Sequence, residues 1–382
     1  MTDTSLVMPG FPDKITSEHE LNLVLEHATN LGASDLFFIA GDQLMVRVYG
    51  RFVPISTRRL KDMDVTAVLS AIHSNEAETL LKSGVPLNPS YEYRSTTGHR
   101  HRYRANAVST RVRGRGTTRV TLRTINHVPP SVEEIGLDPS IVKICSESTK
   151  GLVGFIGATG TGKSSSLAAI LANQLEDPER HEHLVTIEQP IEYVYDDIVR
   201  INSLYTPLEV GKGVQSFAAG VENAMRMAPT SILVGETRDP ETALATISAC
   251  LSGHMAYTTL HAPGVAEAVT RLINLFPHEM HGQIRTDFCQ QSVLLVAQAL
   301  LPTVDGKRVA VREVLPFDDP LRERLIGAAN IAQEALLATE SQGQPMIADI
   351  ERVHQAGLIS DSVYQGAKFN YDRRRQGMQY AA

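Results

Sequence analysis

Between Gly157 and Ser165 the chain reads Gly-Ala-Thr-Gly-Thr-Gly-Lys-Ser-Ser, which contains the G-x-x-x-x-G-K-S spacing of a phosphate-binding loop. Glycine lets a backbone curl so that successive N–H groups aim at one point, and the N-terminus of a following helix adds positive potential there. On this spacing Gly157, Ala158, Thr159, Gly160, Thr161, Gly162, Lys163, Ser164 and Ser165 wrap the phosphates of a nucleotide. Lys163 meets the β- and γ-phosphates, and the Ser164 hydroxyl holds Mg²⁺. The context suits the motif. An apolar run from Leu152 precedes it, and Leu167, Ile170, Leu171 and Leu175 follow at helical spacing, with Gln174 alone breaking the stripe.

Three further polar clusters stand at the ends of strand-like runs: Thr186-Ile187-Glu188-Gln189-Pro190-Ile191-Glu192-Tyr193, Ile232 to Asp239 around Glu236, and Gly253 to His261. In an open parallel sheet, ligands collect beyond the carboxyl ends of the strands. Hydrolysis of a γ-phosphate needs metal, a group that orients water, and positive charge on the transition state. Glu236 can bind Mg²⁺ through water or polarise the attacking water. Glu192, or with less support Glu188, can hold that water directly, and His261 can sense the γ-phosphate or tie neighbouring strands together. A lone glutamate at a loop is ordinarily just exposed. Three clusters after three successive strands, beside a phosphate loop, reverse that preference.

These side chains need a scaffold. A chain of 382 residues exceeds one ordinary core, so two domains are expected. Strand-like runs after the phosphate loop (Leu184–Glu188, Ile232–Gly235, Met255–His261, Val309–Leu315) alternate with helical ones such as 216–227 and 240–252. That alternation means an α/β fold with a mostly parallel sheet covered on both faces. Upstream, residues 1–17 read as a loose arm, 21–32 as a helix stopped by Gly32, 34–55 as strands with a hairpin, and 65–83 as helical. Pro129-Pro130 marks 126–138 as a linker, and 330–377 is helix-rich with a solvated basic tail at Arg373, Arg374 and Arg375.

Composition excludes several classes. Hydrophobic content of 42% is that of a soluble globular protein, and the net charge of −7 argues against a surface built to grip nucleic acid. Cys145, Cys250 and Cys289 lie far apart, giving neither a zinc spacing nor a disulfide framework, so buried thiols in a reducing cytoplasm are expected. The longest apolar run of the C-terminal half, Val293–Leu301, is far short of the ~20 residues a spanning helix needs. One local anomaly remains: nine arginines between Arg94 and Arg123. Two strands around Arg113-Gly114-Arg115-Gly116 put Arg100, Arg102, Arg104 and Asn106 on one face, and Arg119, Thr121 and Arg123 on one face of the second. A solvated face, a nucleic-acid patch and an anion site for phosphate bound elsewhere all fit. Scarce aromatics count against base stacking, and the anion site is preferred.

The succession GATGTGKSSSLAA, TIEQPIEY, ILVGETRDPETA, SGHMAYTTLHA resembles the secretion ATPases of type II and type IV systems, in their PilT-like branch. GASDLFF, RYRANAV, RTI, VAQALLP and VREVL extend the resemblance over nearly the whole chain from about Leu21. It implies a PAS-like α+β N-terminal domain (1–128) and a RecA-like P-loop ATPase domain with a helical C-terminal end (129–382). It implies a cytoplasmic homohexamer hydrolysing ATP with Mg²⁺. Partners would be inner-membrane secretion-complex proteins and a second ATPase, with recruitment to the membrane only through them and no direct nucleic-acid binding. By motif position Lys163 and Ser164 bind phosphates and Mg²⁺, Glu192 is the catalytic glutamate, Glu236 the Walker B carboxylate, and His261 with His254 the histidine box. Arg104 and Arg123, then Arg111 and Arg113, are the arginines supplied to ATP. Gln189 replaces the usual aspartate, Met227 to Ser231 replaces an acidic D-P-D, and the four-cysteine metal site of type II members is absent. These departures point to the DotB-like members of type IVB secretion and conjugal transfer, with a retraction-type pilus motor as the alternative. A nucleic-acid translocase and a nucleotide-gated scaffold that scarcely turns over are the rivals from other classes.

Overall fold

The computed structural model describes residues 6–380 apart from Tyr49, Thr96, Arg113, Asn126 and His127. The chain divides into two compact units, Met1–His127 and Val128–Ala382. In the first unit the order is α1 (Glu18–Asn30), β1 (Ala33–Ile39), β2 (Gln43–Val48), β3 (Arg51–Arg59), α2 (Asp62–Ile72), α3 (Ala77–Lys82), β4 (Ser90–Arg94), β5 (Arg100–Val112) and β6 (Arg115–Ile125). Among the described residues its strands form one antiparallel sheet in the order β3-β2-β1-β6-β5-β4.

Helix α1 starts on a capping box, in which Ser17 and Glu20 satisfy each other's end of the first turn, and buries Leu21, Val24, Leu25 and Ala28. The helix expected over 65–83 is two helices, because the segment at His73–Asn75 leaves helical geometry and restarts at Ala77. Nor is the stretch before α1 a loose arm in its described part. Phe11 and Ile15 are buried in the core, and the Ile15 N–H donates to Asp64 Oδ1 at 2.8 Å. Asp64 is itself fully buried and accepts two hydrogen bonds from the Arg58 guanidinium, at 2.7 and 2.9 Å.

The second unit runs α4 (Pro139–Glu147), β7 (Gly151–Ile156), α5 (Lys163–Glu176), β8 (His183–Glu188), β9 (Leu204–Glu209), α6 (Phe217–Ala224), β10 (Ser231–Val234), α7 (Pro240–Leu251) and β11 (Met255–Leu260). It continues with α8 (Val265–Ile273), α9 (His281–Gln291), β12 (Ser292–Pro302), β13 (Arg308–Pro316), α10 (Asp319–Gly327), α11 (Ile331–Ser341), α12 (Met346–Gln355) and α13 (Asp361–Tyr380). The sheet order is β13-β12-β7-β11-β10-β8-β9, parallel except for β13 at one edge. Strands β7 and β11 are buried at every position, as a parallel sheet covered on both faces requires.

Gln174, the polar break in the stripe of α5, is buried and donates to Cys145 O at 2.9 Å and to the Tyr257 hydroxyl at 3.0 Å. All three cysteines are free and buried. The basic tail is not uniformly solvated, because α13 packs Arg374 against Glu313 and the Pro263 carbonyl, and Arg375 pairs with Glu340. Among the described residues no helix is long and apolar enough to cross a membrane.

Candidate nucleotide site

Pairing in register brings the carboxyl ends of the parallel strands to one edge. Leu260 of β11 sits opposite Ile156 of β7, and Val234 of β10 lies between Ile187 and Thr258. The loop after β7, the glutamates after β8 and β10, and His261 after β11 therefore leave the sheet side by side.

The loop itself needs glycine for two separate reasons. Gly157, Gly160 and Gly162 hold φ of 151°, 81° and 83°, a region L side chains rarely adopt. A Cβ on Gly157 would also sit 2.5 Å from the backbone oxygen of Gln298 on β12, so the loop is pressed against that strand. Gly162 then opens α5, and Lys163, buried at 6% exposure, donates to the carbonyls of Gly157 and Ala158 at 2.8 Å each. Burial pulls the Lys163 ammonium down from its ordinary value, while the carboxylates of Glu192 and Glu236 push it back up. Lys163 therefore feels both carboxylates.

Each carboxylate is held from behind. The Glu192 N–H donates to Glu188 Oε2 at 2.9 Å, and the neighbouring Tyr193 hydroxyl bonds Ser165 Oγ of α5 at 2.7 Å. Glu188 thus orients the Glu192 segment, next to the position where Gln189 stands for the usual aspartate. After β10, Thr259 Oγ1 donates to Gly235 O at 2.6 Å, and the Thr237 N–H donates to Thr259 O at 3.0 Å, locking the Glu236 loop to β11. Glu236 Oε1 lies 3.1 Å from His261 Nε2. Burial and the Lys163 charge hold the His261 ring below its usual pKa against the pull of Glu236, so at neutral pH it is an uncharged donor.

His254 does not join this group. It precedes β11 at the opposite end from His261, where its Nδ1 lies 3.1 Å from Ser252 Oγ and 3.2 Å from the Ala249 carbonyl. In the first unit Arg104 and Arg123 are direct cross-strand partners on β5 and β6. The Arg123 Nε donates to Asp35 Oδ1 at 2.8 Å. Burial would raise the Asp35 carboxyl, but this bond, the Ser34 hydroxyl and two guanidinium charges hold it below its ordinary value. Arg100 and Arg102 both pair with Glu92, at 2.7 and 3.1 Å, so part of the arginine face is committed locally. Arg113 lies outside the described residues, as do the first two positions of the 126–138 linker.

A cleft of about 980 Å³ opens beside the loop, lined by Gly160, Lys163, Ser164 and Glu192 on one side and by Gln298, Lys307, Arg308 and Arg312 on the other. Sequence reading gave no role to the last four, although Gln298 and Arg312 sit within VAQALLP and VREVL. Ser164, Glu192 and Glu236 offer hard oxygen donors. Among the described residues no group of three His, Cys, Asp or Glu side chains forms a ready metal cage. That donor set fits Mg²⁺, which commonly keeps its waters and takes one or two protein oxygens beside substrate phosphates.

The family described as Type II/IV secretion system protein matches residues 13–357. The chain is 31% identical to the Type IV pilus ATPase PilU of Pseudomonas aeruginosa, over 92% of this chain and 89% of that protein. The X-ray structure of the Legionella pneumophila ATPase DotB is similar with a TM-score of 0.87 and 36% identity, covering 96% of this chain and 99% of that one. The crystal structure of the pilus retraction motor PilT with bound ADP follows at a TM-score of 0.78 and 28% identity, covering 90% of this chain and 95% of that one.

Proposed function

From its membership of the type II/IV secretion system protein family, which makes the chain an ATP hydrolase, we propose that it works as a homohexameric, Mg²⁺-dependent motor. It powers a type IVB or conjugal secretion machine from the cytoplasmic side of the inner membrane, where secretion-complex proteins and a second ATPase recruit it. The single observation that carries the reading is the convergence of Lys163, Glu192 and the Glu236–His261 pair at one sheet edge.

Phosphoryl transfer to water asks little covalent chemistry of the protein and much positioning. The loop N–H groups from Ala158 to Ser165 hold the phosphates. Lys163 exchanges its two loop carbonyls for the β- and γ-oxygens. Ser164 and Glu236 would hold Mg²⁺, directly or through water, and the metal would supply positive charge against the phosphates. Glu192 orients the attacking water and takes its proton, with Glu188 fixing the backbone behind it. The neutral His261 Nε2–H donates to Glu236 and keeps that carboxylate aligned. Arg104, with Arg123 oriented by Asp35, completes the site on an adjoining protomer's ATP.

The DotB likeness, higher in both TM-score and identity than the PilT one, supports the type IVB reading. The PilU likeness across most of both chains favours a retraction-type motor as the second reading. The net charge of −7 disfavours a nucleic-acid translocase. Mixing tests the ring. Lys163→Ala and Arg104→Ala proteins, each inactive alone, should regain ATPase activity when combined, because some sites then receive an intact loop from one chain and an intact arginine from another. Persistent inactivity of the mixture, with both proteins assembled, contradicts arginine supply between protomers.

A further inference from the structure

The phosphate loop is gripped by a side chain 137 positions further along the chain. Gln298 projects from β12, and each end of its amide is used. Its Nε2 donates to Thr161 O at 2.7 Å, inside the loop. Its Oε1 accepts from Ser166 Oγ in the first turn of α5 at 2.9 Å and from Arg312 Nε on β13 at 2.8 Å. Gln298 and Arg312 face each other in the β12–β13 register and are 4% and 3% exposed. A Cβ on Gly162 would sit 2.9 Å from Gln298 Nε2, so the amide fills the space the glycine leaves.

Arg312 carries the connection onward. Its remaining guanidinium nitrogens donate to Gly136 O at 2.8 Å and to Ile135 O at 3.2 Å, in the turn that follows the start of the second unit at Val128. Its backbone N–H donates to Asp349 Oδ2 at 2.8 Å. Burial lowers the guanidinium to about 10, partly offset by Asp349, which leaves it charged at neutral pH. Ile135 and Gly136 line the same cleft as the loop.

We propose that Gln298 and Arg312 are positioning residues that relay the state of the phosphate loop to the Ile135–Gly136 turn. The proposal rests on nucleotide binding at Lys163. Phosphate arriving at the loop moves Thr161 and the first turn of α5, and both are bonded to one rigid amide. The amide in turn sets the guanidinium fork that holds two carbonyls of the turn. The amide meets the demand at position 298, where the site needs one donor and one acceptor on a planar group. A carboxylate keeps the bond from Arg312 but sets an oxygen against the Thr161 carbonyl. A thioether of similar length supplies neither bond.

Backbone hydrogen exchange on the full-length protein, with and without ADP, tests the relay. In the parent, ADP should slow exchange in peptides covering both 157–166 and 132–137. In Gln298→Met, at ADP concentrations that saturate it, protection of 157–166 should persist while protection of 132–137 is lost. Arg312→Lys, which keeps the charge but not the fork, should show the same split. For turnover, Gln298→Met and Arg312→Met should each lower kcat about tenfold, and the double variant should be no worse than the poorer single one. Protection of 132–137 surviving in Gln298→Met with ADP bound, or strictly multiplicative losses in kcat, would overturn the relay. Absence of ADP protection at 157–166 in the parent would instead overturn nucleotide binding at Lys163, and the relay with it.

Discussion

His261 Nε2 lies 3.1 Å from Glu236 Oε1, so the residue that follows β11 and the carboxylate that follows β10 form one unit. Burial and Lys163 keep the ring neutral at pH 7, which fixes the direction of the bond: nitrogen donates, carboxylate accepts. A partner that orients a metal-holding carboxylate typically contributes about 10–100-fold. His261→Ala should therefore lower kcat by about that factor with ADP affinity retained. Because the folded pKa lies below the ordinary histidine value, and the Nε2–H donates in either charge state, the difference between parent and alanine variant should be constant with pH above about 6.5. An unchanged kcat in the alanine variant at pH 7.5 contradicts the pairing's role.

Lys163→Ala removes a buried cation that two carboxylates face. The loss should appear in binding as well as turnover, since the ammonium serves the ground-state phosphates too. ATP hydrolysis at the parent rate by this variant would rule out the loop as the site. Equilibrium binding of a fluorescent ATP analogue and phosphate release read the two effects separately.

Arg104 and Arg123 stand opposite each other, and the Arg123 guanidinium is held by Asp35. Arg104→Ala should cut turnover of the assembled protein while nucleotide affinity of the dilute monomer stays at the parent value. Asp35→Asn should lower turnover less than Arg123→Ala does, because it loosens the guanidinium without deleting it. Equal loss of monomer affinity in Arg104→Ala would put that arginine in its own chain's site instead.

Asp64 is fully buried, and Arg58 with the Ile15 and Lys61 N–H groups holds its carboxyl below the ordinary aspartate value against the opposing effect of burial. The folded pKa is depressed, so its stabilisation is complete above the unfolded value near 3.9 and is lost as pH falls through the folded pKa. Asp64→Asn should cost about 3 kcal/mol at pH 7 by leaving Arg58 with no buried carboxylate. The deficit should shrink below about pH 3.9. Chemical denaturation of the two proteins across pH reads both, and a deficit that stays constant into acid contradicts the assignment.

Arg374 ties α13 to Glu313, which is 2% exposed and accepts the Val265 N–H at 2.8 Å. Arg374→Ala strands that carboxylate and should destabilise the second unit by about 3 kcal/mol. Arg373→Ala, one position earlier, should stay within about 0.5 kcal/mol of the parent. Thermal melts of both variants compare them directly, and equal stability of the two would place Arg374 in solvent.

What the sequence discloses about this site is local or periodic. The phosphate loop, the strand-end glutamates and the α/β alternation all lie within windows of a few residues, so spacing alone reveals them. Gln298 and Arg312 escape that reading because their partners are set by strand register across the sheet, and an isolated glutamine in an apolar run looks like a blemish. Glu188, second to Glu192 as a holder of water on sequence alone, has the geometry of a support for the Glu192 backbone. Strand β9, with Pro207 inside it and half-exposed side chains at the sheet edge, carries no clean alternation to find. A run of arginines such as Arg373 to Arg375 ordinarily lies in solvent, and only the fold brings Glu313 to Arg374.

Glu192→Gln puts the central claim to its most direct trial, because it exchanges one carboxylate oxygen for an amide nitrogen and leaves the loop and Lys163 alone. Phosphate release in single turnover should fall at least about 100-fold, with ATP still bound at parent affinity. Parent-rate hydrolysis by this variant would mean that water is oriented elsewhere, and the site built on Lys163, Glu192 and Glu236 would be wrong.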